Sequence, residues 1–329
     1  MNMDFLKKLC MANGVSGHES AARDVIFEEI KGHVCECSVD VMGNLIARKA
    51  GSGKKMMLTA HMDQVGLMVT YICEKGFLYF GTIGGVSTRT CLAQRFAFQN
   101  GTVGVCASQR LDESETLSFD KMYLDIGAEN RADAEKHVKI GDVCAFAQEP
   151  VISANVLITP ALDNRIGCFI MVEALKNITK PAFDLYFVFT SQEEVGLRGA
   201  KTAAFAVEPD YGLAFDVTTS FDTPKARKMP CGMYGGAAIK LKDKSLICHP
   251  VIIDHLEKCA KRDNIKYQFE VLEAGGTDAG ALHVSKGGVP SGVVSVATRY
   301  IHTANEMCAL SDVRECINLA VSALENTIS

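Results

Sequence analysis

The chain has 329 residues, and its 48% hydrophobic content excludes a disordered chain because a substantial core can be buried. Acids and bases are mixed along the sequence with a formal net charge of -5, which argues against nucleic acid and anionic membranes as partners. No apolar run approaches the roughly 20 residues that cross a bilayer. The first nine residues lack the apolar region of a signal peptide, and the thirteen cysteines lie mostly singly in apolar segments, as reduced thiols do. We therefore expect a soluble, cytoplasmic protein.

The N-terminal region is predicted to form a helix, a hairpin and a buried strand. Ser16 and Glu19 have the spacing of a capping box, and one apolar face of an amphipathic helix follows them. Residues 35–39 and 45–48 are expected to form two strands joined by a turn at residues 42–44. Residues 56–60 are continuously apolar, which is typical of a strand buried on both faces of a sheet, and the run ends at His61.

The pattern changes between about residues 65 and 155, where short apolar stretches are separated by turns that contain glycine. This spacing predicts a small all-β domain of barrel type. After residue 163, helical and strand patterns alternate, which predicts an α/β domain whose mixed, partly parallel sheet is flanked by helices. We therefore predict a discontinuous α/β domain over residues 1–64 and 156–329, with the β domain over residues 65–155 inserted into it.

Five short motifs follow predicted strands of the α/β domain and together carry two histidines and five acids. Ligand-binding side chains of α/β folds collect at the carboxyl ends of strands, and histidine with carboxylate is the ligand set of a dinuclear metal site. Each motif alone has an ordinary structural explanation, but the shared position of all five favours a metal site. The set consists of His61, Asp63, Asp163, Glu193, Glu194, Asp216 and His302.

The individual residue types suit different roles. His61 leaves a buried strand and can present one ring nitrogen to a metal while Asp63 accepts a hydrogen bond from the other, or the two side chains can simply satisfy each other. Asp163 can bridge two cations or cap the helix that follows it. Glu193 and Glu194 are adjacent and point in different directions, so one can bind metal while the other accepts a proton.

These residues lie within runs that occur in a recognisable order along the whole chain: 14–17 (GVSG), 43–47 (GNLIA), 60–66 (AHMDQVG), 162–165 (LDNR), 192–196 (QEEVG), 215–218 (FDVT), 275–279 (GGTDA) and 298–302 (TRYIH). In these runs the chain resembles the tetrahedral aminopeptidase family of dinuclear metallopeptidases. That family includes glutamyl, leucyl and deblocking aminopeptidases, and some members are labelled endoglucanase. After Asp216 the chain departs from the family pattern at Phe221 and Lys225, in a loop outside the expected metal ligands.

The resemblance implies a metal-dependent aminopeptidase that removes N-terminal residues from short peptides. Glu193 would be the general base that activates a metal-bridged water, and Asp63 would be the partner of His61. The inserted β domain would mediate dimerisation within a homo-oligomer, either a dimer or a dodecamer. Two divalent ions, zinc or cobalt, would be bound per subunit, one by His61, Asp163 and Asp216 and the other by Asp163, Glu194 and His302.

Two other functions stay open on the sequence. A metal-dependent amidase or deacylase would keep the same site and act on a non-peptide substrate. A catalytically silent assembly protein would keep metal for structure only, although such a site has no need of a general base such as Glu193. An endoglucanase is disfavoured, because the adjacent Glu193 and Glu194 do not easily flank one glycosidic bond across the several Å that this reaction needs.

Overall fold

The computed structural model describes residues 1–112 and 114–328, which form one large mixed sheet with helices and one small closed barrel. The helices are α1 (Met3–Met11), α2 (Ser20–Ile30), α3 (Thr88–Cys91), α4 (Arg131–Ala134), α5 (Leu162–Asn177), α6 (Arg198–Val207), α7 (Pro250–Arg262), α8 (Ala279–Leu282) and α9 (Leu310–Leu324). The strands are β1 (Glu36–Val39), β2 (Leu45–Lys49), β3 (Lys55–His61), β4 (Gly66–Ile72), β5 (Leu78–Ile83), β6 (Arg95–Phe98), β7 (Val103–Ser108), β8 (Met122–Asp125), β9 (Val143–Phe146), β10 (Val151–Ser153), β11 (Val156–Thr159), β12 (Asp184–Thr190), β13 (Tyr211–Thr219), β14 (Ala237–Lys242), β15 (Tyr267–Val271), β16 (Ser291–Arg299) and β17 (Glu306–Ala309). Within the described residues, every helix is too short or too polar to span a bilayer.

Four parallel strands form the centre of the large sheet, in the order β12-β3-β13-β16. Most of their residues are buried, as expected where helices cover both faces of a parallel sheet. Antiparallel strands extend this centre: β2 and β1 lie beyond β12, while β17, β11 and β10 lie beyond β16. The predicted α/β fold with a mixed, partly parallel sheet is therefore confirmed.

Alternating side chains along the central strands divide the core between the two faces of the sheet. On one face, Leu58 and Phe187 belong to a large cluster with residues of α1, α2, α5, α7 and α9. On the other face, Met57 and Val188 pack with residues of α6 and α8. Helix α5 is buried along almost its whole length, which fixes the position of its first turn against the sheet.

The strands β4 to β9 close into an antiparallel barrel, in the order β4-β5-β8-β7-β6-β9. Phe96, Cys106 and Leu124 are among the fully buried residues of its separate core. The barrel begins five residues after His61, so it is attached directly beside the end of a central strand. The predicted small all-β unit is confirmed. The limits of residues 65–155 stay a prediction, and β10 within them pairs into the large sheet.

The predicted capping box at Ser16 and Glu19 is wrong. Helix α2 begins at Ser20, and its N-cap residue Glu19 makes no side-chain cap. The carboxylate of Glu19 instead accepts hydrogen bonds from the backbone N–H of Gly17 at 2.7 Å and of Gln192 at 3.0 Å. A contact across 173 residues therefore takes the acid that a local capping pattern would use.

We predict that Phe187→Ala lowers the free energy of unfolding by about 3–5 kcal/mol, because it leaves a cavity at a fully buried position of β12. Urea denaturation followed by circular dichroism measures this change. The matched control is Phe205→Ala on α6, where the ring is 64% exposed and the expected loss is below about 1 kcal/mol. Equal losses in the two variants would contradict this assignment of the core.

Candidate metal centre

The candidate residues converge at the carboxyl ends of the central parallel strands, where α/β folds place their sites. His61 is the last residue of β3, and Glu193 lies three residues beyond β12. The pairing of β3 with β13 ends at Thr59 and Ala214, two residues before His61 and Asp216, and β13 continues past Asp216 to Thr219. A cavity of about 580 Å³ lies at this point, and the residues that line it include His61, Asp163, Glu193, Glu194, Asp216 and His302.

Both histidines turn one ring nitrogen to a backbone carbonyl and the other to carboxylates. Nδ1 of His61 lies 3.0 Å from the carbonyl oxygen of Asp63, and Nδ1 of His302 lies 2.9 Å from that of Gly85. A carbonyl oxygen only accepts, so in the neutral rings each Nδ1 carries the proton and each Nε2 keeps a lone pair. This tautomer leaves Nε2 of each ring available to a metal.

Asp163 lies between the two histidines rather than capping a helix. Its Oδ1 is 3.1 Å from Nε2 of His61, and its Oδ2 is 3.2 Å from Nε2 of His302. The Nε2 atom of His302 is also 3.1 Å from Oε1 of Glu194. If both rings are neutral, with the lone pairs on Nε2, acceptors would face acceptors at these distances. A cation between them resolves that conflict, so the donor set fits a metal ion.

Glu193 and Asp216 complete the group around His61. Their nearest carboxylate oxygens lie 3.7 and 3.9 Å from its Nε2. Imidazole nitrogen with carboxylate oxygen is a ligand set for divalent transition metals. His61 belongs to two triads of potential ligands, one with Asp163 and Glu194 and the other with Glu193 and Asp216. Within each triad, the ligand atoms lie within 4.8 Å of one another.

Burial makes the charged forms of these acids unfavourable. It raises the pKa of Asp216 and of Glu193 well above the usual carboxyl values, and neighbouring acids add to the effect. Desolvation opposes the charged ring of His302, but hydrogen bonds to Asp163 and Glu194 outweigh it and raise the pKa of the ring to about 12. All three shifts reflect an excess of buried acids over bases, which a divalent cation would relieve.

Asp63 is fully buried and holds backbone more closely than it holds the ring of His61. Its carboxylate accepts hydrogen bonds from the backbone N–H of Glu193 at 3.0 Å and of Glu194 at 3.1 Å, and from the hydroxyl of Ser16 at 2.6 Å. Its Oδ1 lies 3.5 Å from Nδ1 of His61, farther than the carbonyl oxygen of Asp63 itself. Asp63 therefore fixes the direction in which the two glutamates leave their loop.

Glu306, which the sequence pattern does not identify, binds the backbone of the two segments that carry Asp163 and His302. This residue begins β17 and is 2% exposed. Its Oε2 accepts a hydrogen bond from the backbone N–H of Asp163 at 2.9 Å, and its Oε1 accepts one from that of His302 at 2.7 Å. Burial raises the pKa of Glu306 to about 8. The available signal was an acid in an otherwise apolar strand, four residues after His302.

Asp278 is a second buried acid that the sequence analysis does not single out. Its Oδ2 accepts a hydrogen bond from the hydroxyl of Thr190 at 2.6 Å, and Thr190 pairs with His61 in the ladder between β12 and β3. Burial raises the pKa of Asp278 to about 6. Asp278 thus adds to the negative charge beside the strand end that carries His61.

The barrel side of the molecule reaches the same site. A Cβ atom at Gly84 would lie 2.8 Å from a methyl group of Val65 and 3.3 Å from Cβ of Glu194. Gly84 also has a φ of +72°, a conformation that favours glycine. Because the next carbonyl, that of Gly85, holds His302, the segment after β5 orients one of the candidate ligands.

Comparison with known protein families identifies the family to which this fold belongs. A model of the M42 glutamyl aminopeptidase family matches residues 43–319, a range that includes all seven predicted site residues. The chain belongs to this family. The M42 family is metal-dependent, and its members are aminopeptidases, which are hydrolases of peptide bonds. The resemblance to tetrahedral aminopeptidases is therefore confirmed.

Individual relatives of this M42 chain match along nearly their whole length. An Acetivibrio thermocellus protein with a provisional aminopeptidase name is 51% identical over 322 residues, covering 98% of each chain. An aminopeptidase from the archaeon Desulfurococcus kamchatkensis has a similar structure, with a TM-score of 0.95, 35% identity, and coverage of 98% of this chain and 94% of that one. The Pyrococcus horikoshii TET1 peptidase, which can assemble into a tetrahedron or a large octahedral shell, has a TM-score of 0.88 and 28% identity over 99% of each chain.

The loop that departs from the M42 pattern does not form a wall of the cavity. Phe221 packs against Cys231, Ala238 and Ala297, and the described residues that line the cavity do not include Phe221 or Lys225. The departures in this loop therefore leave the candidate ligands undisturbed.

We predict that Glu306→Gln lowers the free energy of unfolding by about 1–3 kcal/mol, because an amide NH₂ group would face a backbone N–H that now donates to a carboxylate. Urea denaturation in the presence of a chelator measures the effect without a contribution from metal binding. Glu28→Gln on the exposed face of α2 is the control and is expected to change stability little. Similar denaturation curves for both variants would argue against a role of Glu306 in holding the backbone of Asp163 and His302.

Proposed function

We propose that the chain is a dinuclear metal-dependent aminopeptidase that removes N-terminal residues from short peptides. The observation that carries the proposal is the meeting of five potential ligands and one further acid, Glu193, at a single cavity of an M42 family chain. The cavity volume of about 580 Å³ suits the end of an extended peptide. All thirteen cysteines are free thiols, which suits the cytoplasm as the compartment.

The two divalent ions, zinc or cobalt, are proposed to share Asp163. The two oxygens of this carboxylate face different histidines at 3.1 and 3.2 Å, as a bridging ligand requires. Nitrogen and oxygen ligands suit either metal. Two divalent ions carry four positive charges against three ligand carboxylates, so their binding offsets the excess negative charge of the site. The proposed ligand sets are His61, Asp163 and Asp216 for one ion, and Asp163, Glu194 and His302 for the other.

Glu193 is the proposed general base. When bound, the ions would lower the pKa of a water molecule and polarise the scissile carbonyl. Glu193 takes a proton from the attacking water and returns it to the leaving amine, which is most efficient when the pKa of the base is near the working pH. Burial, together with Asp216 and Glu194, shifts the pKa of Glu193 upward in that direction. The carboxylate of Asp63 accepts a hydrogen bond from the backbone N–H of Glu193 and so keeps the side chain of Glu193 at the cavity.

The subunits are proposed to associate through the barrel, first as a dimer and then as a dodecamer. Val103 and Val105 point outward from β7 and are 48% and 43% exposed, and the exposed rings of Tyr71 and Tyr79 lie 6.0 Å apart between centroids. A contiguous exposed apolar patch marks an interaction surface, and these side chains are the proposed candidates for such a patch on the barrel. The large assemblies of the similar TET1 peptidase support a homo-oligomer for this chain.

We predict that chelation abolishes the hydrolysis of aminoacyl chromogenic amides and that added zinc or cobalt restores it. Glu193→Gln should lower kcat by about 10²–10⁴-fold, since the side chain no longer accepts a proton, while metal content measured by mass spectrometry stays at two ions per subunit. The control is Glu208→Gln at an exposed site paired with Lys286, which should leave kcat unchanged.

Four outcomes would contradict parts of this mechanism. Activity that survives exhaustive chelation would exclude a catalytic role for the metal. Activity that is unchanged in Glu193→Gln would exclude Glu193 as the general base. Turnover of N-acylated peptides with no turnover of free-amine peptides would identify a deacylase. Full metal occupancy without turnover of any substrate would identify a silent assembly protein.

We predict that replacing both Val103 and Val105 by Glu shifts the mass distribution of the protein toward monomers, because the added charges would be buried in the barrel interface. Mass photometry at nanomolar concentration measures the distribution. Val41→Glu, at a fully exposed site in the turn between β1 and β2, should leave the assembly intact. An unchanged distribution in the double variant would place the interface elsewhere.

A further inference from the structure

We propose that the cavity selects peptides whose N-terminal residue has an uncharged, apolar side chain of about the size of leucine or methionine. This inference rests on the proposed aminopeptidase function, and it names the substrate class within it. Two observations support it: the walls of the cavity away from the acids are uncharged, and charged residues near those walls form ion pairs with other residues of the protein.

The position of the substrate side chain follows from the position of the chemistry. The scissile amide must lie within reach of Glu193, at the end of the cavity where the candidate metal ligands meet. The side chain of an N-terminal residue is attached to the Cα atom that is bonded to the carbonyl carbon of that amide. It must therefore occupy the remainder of the same cavity of about 580 Å³.

The remainder of the cavity is lined by uncharged residues that come from four separate segments. Leu197 precedes α6, Val217 lies within β13, Leu272 follows β15, and Ile301 follows β16. The other lining residues are small or neutral, and none of the described residues that line the cavity is Lys or Arg. These other residues are Gly196, Thr218, Thr219, Ala274, Gly275 and Gly276.

Two charged residues on the flanking segments are paired with acids, while Arg198, which follows Leu197, donates a hydrogen bond to Gln192 at 3.1 Å and lies outside the cavity lining. Arg299, next to the wall at residue 301, makes two hydrogen bonds to the carboxylate of Asp222 at 2.9 and 2.8 Å. Glu273 directly follows the wall residue Leu272, and its carboxylate forms an ion pair with Arg227 at 2.6 Å. Both guanidinium groups therefore already have a carboxylate partner, and Glu273 already has a cationic one.

A third pair lies beneath the wall formed by β13. Lys240 is 1% exposed and forms an ion pair with Glu270, and the Thr218 hydroxyl donates a hydrogen bond to Glu270 at 2.7 Å. The hydroxyl of Thr218 is thus committed inside the protein. A charged substrate side chain in this cavity would lose water without gaining a partner, whereas an apolar side chain would bury its surface.

The first test is a panel of aminoacyl chromogenic amides with metal-loaded enzyme. We expect kcat/KM for the leucine and methionine amides to exceed that for the glutamate, aspartate, lysine and arginine amides roughly tenfold or more. We expect the leucine amide to exceed the alanine amide by a similar factor, because alanine leaves the apolar walls uncovered. A best substrate with a charged side chain would overturn the inference.

A variant of one wall sharpens this test. Leu272→Lys places an ammonium group in the cavity wall and should raise the ratio of glutamate-amide to leucine-amide turnover at least tenfold. Val284→Lys adds the same charge at a position that is 65% exposed and outside the cavity lining, and it should leave the ratio unchanged. Equal ratios in the two variants would show that Leu272 does not contact the substrate side chain.

Binding separates this inference from the proposed mechanism. Isothermal titration calorimetry of metal-loaded Glu193→Gln with leucinamide, isoglutamine and lysinamide measures preference without turnover. Tighter binding of leucinamide by roughly tenfold is expected, whether or not the wild type hydrolyses any amide. Equal or weaker binding of leucinamide would overturn the apolar selection, whereas a wild type without activity would overturn only the aminopeptidase mechanism.

Discussion

The burial of seven carboxylates around one cavity is the physical constraint on which the rest of the structure depends. Only two histidines face them within the described residues, so like charges share a desolvated volume and most of their pKa values rise. Such a group is stable only where hydrogen-bond donors or cations compensate it. The backbone of the chain supplies the hydrogen-bond donors. The compensating cations would be the metal ions that the site is proposed to bind. The seven acids are Asp63, Asp163, Glu193, Glu194, Asp216, Asp278 and Glu306.

Two of these acids act as clamps between segments that are distant in sequence. Asp63 receives the backbone N–H groups of Glu193 and Glu194, and Glu306 receives those of Asp163 and His302. Each clamp needs a carboxylate, since a second acceptor oxygen is required at the same point. The carbonyl of Gly85 adds a contact from the barrel side of the chain. The directions of the candidate site side chains are therefore set by backbone positions, which side-chain substitutions elsewhere disturb little.

The sequence predicts those parts of the molecule whose pattern is local. The apolar runs of β3, β12, β13 and β16 identify buried parallel strands, and the polar residues beyond them identify the candidate site. Glu306 escapes this reasoning, because its role depends on two N–H groups brought to it by the fold, one of them 143 residues away. The false capping box at Glu19 has the same origin, a long-range contact that outcompetes a local one. Asp216 is predicted at a strand end, whereas β13 continues past it because its pairing with β16 extends to Thr219.

The architecture separates the residues proposed for the reaction from the residues proposed to contact the substrate side chain. The candidate ligands and Glu193 lie on or beside the central strands, where pairing and burial hold them. The apolar walls lie mostly on the segments that follow or precede those elements, and Leu197, Leu272 and Ile301 are only partly buried there. A substitution in these walls changes little of the core, so the side-chain preference can vary while the buried acids stay fixed. The neutral walls and the paired charges beside them are therefore a property of this chain rather than a requirement of the chemistry.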